Sequence, residues 1–264
     1  NKVYGLMAVA MVITGLVAWV IGSDFARVVA GQPTMLIPAG ALQAMFSSPI
    51  RYVIMFAPLM FVFGLSAGIN RLSDGAAQML FYAFAAVMGA SMSTLLLVFT
   101  GASVVRVFFI TAASFGALSL YGYTTKRSLS GMGSFLIMGL IGLIIASIVN
   151  MFLQSGTFYL IISALGVLIF SGLIAYDTQR LKMTYYALGG NQAALGVATG
   201  FGALSLFINF VNLFQFLLAF MGAMQGVVLS GNLIQVVVFW ELTSLFSFLL
   251  IGYSGHRIFA RRSA

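Results

Sequence analysis

The chain has 264 residues, of which 62% are hydrophobic and 6% charged. So few polar side chains cannot cover the surface of a water-soluble globule, which leaves an integral membrane protein. Twelve Lys and Arg against four Asp and Glu give a net charge of +8, yet these cations fall between apolar runs, where they orient membrane spans, so nucleic-acid binding is a poor reading.

A bilayer core of about 30 Å takes roughly twenty apolar residues per helix, with every backbone group paired inside the segment. Runs of this length predict eight spans, near 3–22, 50–70, 77–98, 103–123, 131–152, 157–177, 199–221 and 226–252. The opening "NKVYGLMAVAMVITGLVAWVIGSD" carries one Lys and then an apolar run longer than a signal-peptide core, without an A-x-A-like cleavage site, and reads as a first span. The connection 23–49, with Pro33 and Pro38, is expected to be an outer interfacial segment, and 183–198, with "LGGNQ", a flexible loop. "FTGAS" at 99–103 and "LQSGT" at 153–157 divide uncharged runs that are too long for one crossing.

Cations accumulate on the cytoplasmic side of short loops. With the N-terminus inside, Lys2, Arg71, Lys126, Arg127, Arg180, Lys182, Arg257, Arg261 and Arg262 lie inside, and Arg27, Arg51 and Arg106 outside. That bias predicts an even number of spans and both termini in the cytoplasm. Small residues at helical spacing, Ala112 with Gly116, and Gly139 and Gly142 with Ala146, are expected to let helices approach closely.

Chemistry must come from a short inventory. Asp24 and Asp74 read as solvated interface charges. Asp177, at the end of the sixth span in "SGLIAYDTQRLKM", needs water, a cation or a donor beside it, because a lone carboxylate in the membrane is costly. Candidate partners are Arg180, one turn later, and Arg71 from another inner helix end. The bland alternative is an interfacial ion pair that anchors the helix; the functional one is a titratable latch or cation ligand at a pore mouth. The chain has no Cys and one His, which excludes disulfides, thiolate chemistry and His- or Cys-based metal clusters. It also lacks a Walker-type phosphate loop, H-E-x-x-H and an EF-hand pattern. No enzyme activity and no cofactor is expected, apart from calcium as a transported or bound ion.

Three stretches, "VFFITAASFGALSLYGYTTKRSLSGMGSFLIMGLIGLIIASIVNMFL" (107–153), "GLIAYDTQRLK" (172–182) and "GALSLFINFVNLFQFLL" (202–218), closely resemble the Bax inhibitor-1 family in its bacterial branch. The resemblance covers about 3–221, including "APLMFVFGLSAGINRLS" at 57–73. It implies an all-α, polytopic inner-membrane protein whose seventh helix is surrounded by the other six. It also implies a proton-sensitive calcium leak or, in some members, regulation of membrane-protein quality control and stress survival through a membrane protease or another membrane protein. The gate implied by the resemblance pairs an Asp of the sixth helix, here Asp177, with an Asp of the seventh, and an Arg of the second, here Arg71, exchanges partners with them.

This sequence departs from that pattern at the seventh helix, where Asn209 stands in place of the second Asp. Two adjacent carboxylates share a proton and titrate near neutral pH, whereas an Asp and an Asn lack that coupling. Calcium, which takes six to eight oxygens, would find one carboxylate and an amide oxygen at Asp177 and Asn209. Asn209 and Asn212 are expected to form a polar seam inside the bundle.

Residues 222–264 differ in character. "GVVLSGNLIQVVVFWELTSLFSFLLIGYSGHR" (226–257) is similar to one helical stretch of the antiporter-like subunits of Mrp-type antiporters and respiratory complex I. That similarity implies a proton site at Glu241 and, as a third functional reading, a proton-antiporter subunit fragment. The other pathway residues such a subunit needs are missing, so the segment is expected to be an additional span and basic tail, from a gene fusion, a frameshift or an assembly artefact. His256, beside Arg257, reads as an interfacial residue.

Overall fold

A computed structural model describes residues 2–47, 49–68, 74–189 and 192–224. Its helices are α1 (Lys2–Val29), α2 (Ala39–Ser47), α3 (Ile50–Gly68), α4 (Asp74–Met92), α5 (Leu95–Val98), α6 (Gly101–Thr124), α7 (Ser130–Leu153), α8 (Gly156–Leu188) and α9 (Gln192–Met224). No strand occurs among the described residues. Among the described residues six segments are long and apolar enough to cross a membrane: Lys2–Val29, Gly75–Val98, Gly101–Thr124, Ser130–Leu153, Gly156–Leu188 and Ala198–Met224. α3 occupies the place of the expected span at 50–70. The protein is thus an all-α polytopic membrane protein; the eighth expected span, 226–252, lies outside the described residues.

α9 is the centre of the bundle. Of its most apolar window 83% is buried, against 22% for α1 and α6. A helix enclosed by protein on all sides can be apolar around its whole circumference, and α9 uses aromatic rings to meet its neighbours. Phe207 packs on Phe81 and Phe84 of α4. Phe210 and Phe214 meet Phe115 and Phe108 of α6, and Phe216 stacks on Phe170 of α8 at 5.6 Å between ring centres.

Helices in lipid gain no hydrophobic free energy by leaving it, so close contact and cross-helix hydrogen bonds decide their pairing. A Cβ on Gly122 of α6 would collide with the carbonyl oxygen of Ala175 on α8, and one on Gly166 of α8 with the Phe216 ring of α9. Between α1 and α4 the Thr14 hydroxyl donates to Ala10 O at 2.9 Å and Ala85 O at 2.8 Å. The expectation for the small-residue stripes holds for Ala112, Gly139 and Ala146, which pack on neighbours, and is corrected at Gly116 and Gly142. A Cβ on Gly116 or Gly142 would meet nothing within 4 Å, while one on Gly139 would touch Ile169 at 3.2 Å. Small residues recur on several faces of these helices, and spacing alone does not say which face meets protein.

Two connections also differ from expectation. Much of 183–198 is helical, because α8 continues to Leu188 and stops at Gly189, whose φ of 50° lies in the left-handed region suited to glycine. In 23–49, α1 runs on to Val29, and α2 packs back on it, with Phe46 stacked on Phe25 at 4.2 Å. The alternating helices put Lys2, Lys126, Arg127, Arg180 and Lys182 at one end of the bundle and Arg27, Arg51 and Arg106 at the other.

Candidate functional site: a buried carboxylate between α8 and the central helix

Asp177 lies on α8, roughly 32 Å along the helix from Gly156 at 1.5 Å per residue. It is 2% exposed. Its Oδ2 accepts the Ser205 hydroxyl at 2.5 Å and the Asn209 Nδ2–H at 2.8 Å. Both donors come from α9, at positions i and i+4, which lie one above the other on a helix face. Among the described residues the Asp177 Oδ1 has no hydrogen-bond partner, and it stands 3.9 Å from the Arg180 Nη1 of its own helix. One carboxylate therefore uses one oxygen to hold the central helix and turns the other toward a guanidinium.

The sequence-predicted site residues divide accordingly. The fold joins Asp177 and Asn209 directly, and Arg180 faces them at ion-pair distance. Arg71 and Glu241 lie outside the described residues, as does His256. The polar seam of α9 runs through Ser205, Asn209, Asn212 and Gln215, all buried. Asn212 donates its Nδ2–H to Ile208 O at 2.8 Å. Among the described residues no three His, Cys, Asp or Glu gather.

Ser205 was absent from the sequence reading. Its signal was its position four residues before Asn209 on the helix predicted to be central. The role of "TQRLK" behind Asp177 was also missed. Gln179 accepts the Leu129 N–H at 2.7 Å with Oε1 and donates through Nε2 to Arg127 O at 2.8 Å, clamping the α6–α7 loop. Lys182 donates to Tyr123 O at 2.8 Å and lies 4.8 Å from the centre of that ring. The end of α8 therefore grips the central helix with Asp177 and the α6–α7 loop with Gln179 and Lys182.

The reading of Asp24 as a solvated charge is corrected. It is 1% exposed. Its Oδ1 accepts the Met35 N–H at 2.8 Å, and its Oδ2 accepts those of Leu36 and Ile37, both at 2.7 Å. The chain turns back after Val29, and its otherwise unpaired N–H groups find this carboxylate. Asp74 has a described backbone at the start of α4, and its side chain lies outside the described set.

Comparison with known proteins places the sequence in a family. The model of the family described as "Inhibitor of apoptosis-promoting Bax1" matches residues 1–226. An uncharacterized protein of Caulobacter vibrioides is 49% identical over 220 residues, 83% of this chain and 86% of the relative. A second, from Rickettsia prowazekii, is 41% identical over 84% of this chain and 87% of its own length. The inner membrane protein YbhL of Escherichia coli is 38% identical over 84% of this chain and 89% of its own length.

Proposed function

We propose, from the premise that the chain belongs to the Bax inhibitor-1 family, that it is a passive, proton-sensitive cation leak of the bacterial inner membrane, with calcium as its cargo and Asp177 as its latch. The observation that carries this reading is the buried carboxylate shared between α8 and the central helix. Ionised, Asp177 accepts two hydrogen bonds from α9, and a charged acceptor makes them roughly twice as strong as neutral ones. Protonation removes the charge that Ser205, Asn209 and Arg180 face, so α8 and α9 lose part of what holds them together. In this reading Arg71 is the alternating partner of the released carboxylate. The end bearing Lys126, Arg127, Arg180 and Lys182 faces the cytoplasm by the positive-inside rule, with both termini on that side.

The test is reconstitution into vesicles loaded with a calcium dye. The leak should rise on acidification in the wild type. Identical flux for the wild type and Asp177→Ala at both acidic and neutral pH would reject the latch.

One observation favours a second reading, a non-transporting regulator of a membrane protease or other membrane protein. Asn209 leaves a single carboxylate at the site, a weak oxygen set for calcium. Co-purification of a membrane partner, with no flux above empty vesicles, would select this reading over the leak. The antiporter-fragment reading rests on Glu241, and a leak that survives deletion of residues 222–264 would remove it.

A further inference from the structure

We propose that the α6–α7 loop and the facing turn of α8 form a binding site for the phosphate headgroup of an anionic phospholipid. Residues 121–130 and 177–188 carry four cations, Lys126, Arg127, Arg180 and Lys182, and one acid, Asp177, which is buried. Lys126 and Arg127 are exposed. The loop that bears them is fixed in place: the Gln179 side-chain amide bonds both the Leu129 N–H and the Arg127 carbonyl, at 2.7 and 2.8 Å. Arg127 is therefore held through its backbone, and its guanidinium is spared that duty. Lys182, anchored to Tyr123 O by one N–H, has further donors on the same ammonium. The hydroxyls of Ser128 and Ser130, 2.8 Å apart and exposed, add polar groups beside the cations.

The surrounding side chains identify the level in the membrane. Tyr121, Tyr123, Tyr185 and Tyr186 are all more than half exposed, and exposed tyrosines gather where headgroups begin. A rigid cluster of cations at that level, flanked by amphipathic rings, complements the charge of a lipid phosphate. The ordinary role of such cations is to orient spans. Orientation needs charge alone, whereas here a glutamine on another helix fixes the loop backbone. The inference rests on the loop clamp and is independent of the Asp177 latch.

The full chain, purified in a neutral detergent, is titrated with phosphatidylglycerol, with phosphatidylcholine and with inorganic phosphate, reading lipid retention by native mass spectrometry and the shift in Tm. Phosphatidylglycerol should be retained and raise Tm, with an apparent affinity that falls as salt is added. Lys126→Gln together with Arg127→Gln should weaken it roughly 25-fold, about fivefold per cation. Arg106→Gln, at the opposite end, should leave it unchanged. Equal retention of the two lipids, unaltered affinity in the double variant, or equal protection by inorganic phosphate would overturn the proposal. The vesicle flux experiment tests the latch separately.

Discussion

Asp24 and Asp177 are both buried carboxylates near the ends of membrane-spanning helices, yet they are held in opposite ways. Asp24 spends both oxygens on three backbone N–H groups of the segment that follows its own helix. Asp177 spends one oxygen on two side chains of another helix and leaves the other facing Arg180 at 3.9 Å. Backbone donors belong to the local fold and have nowhere else to go once it forms. Side-chain donors can rotate away. The comparison separates a fixed anchor from a bond that can be exchanged, and it assigns the exchangeable one to the contact between α8 and the helix at the centre.

Four substitutions would break or sharpen this contrast. Asp24→Ala removes the acceptor for the three N–H groups of the returning segment. Its Tm should fall furthest, while the pH response of the leak is kept. Asp177→Ala should cost about 3 kcal/mol, in the range for breaking a buried charged contact, and abolish the pH response. Denaturation and flux on the same preparation would show whether stability and gating separate as stated.

Asn209→Asp places two carboxylates at hydrogen-bond distance, so they share a proton. The expected outcome is a loss of about 2 kcal/mol at neutral pH, recovered as the pH falls and one proton binds the pair. Melting curves across pH would detect that sign, and a variant as stable at neutral pH as the wild type would contradict it. Ser205→Ala is the smallest change. It removes one donor to a charged acceptor, for about 1.5 kcal/mol, and should move the leak transition toward higher pH because the ionised form loses a partner.

Much of this was legible in the sequence, and for physical reasons. Span length follows from bilayer thickness, so seven expected spans coincide with helices. The ends did not, because α8 and α9 extend past the apolar runs until a left-handed Gly189 ends the first of them. Asp177 and Asn209 were foreseeable as neighbours only because the family resemblance pairs their two positions across the sixth and seventh helices. Ser205 was not, since a serine in a membrane helix usually bonds its own turn. The burial of Asp24 was hidden as well. Its partners are backbone groups of Met35, Leu36 and Ile37, and a backbone donor leaves no mark in the residue type. Gly116 and Gly142 show the converse failure, small residues at helical spacing that meet no neighbour among the described residues.

The most direct test follows the Asp177 proton itself. Infrared difference spectra of the chain in vesicles would show the carbonyl stretch of the protonated carboxyl, assigned by its loss in Asp177→Asn, while calcium flux is recorded over the same pH range. The account predicts that the two transitions coincide and that Asp177→Asn leaks without regard to pH. A leak that switches on with no change in that carboxyl, or an Asp177→Asn variant with the wild-type pH response, would contradict it.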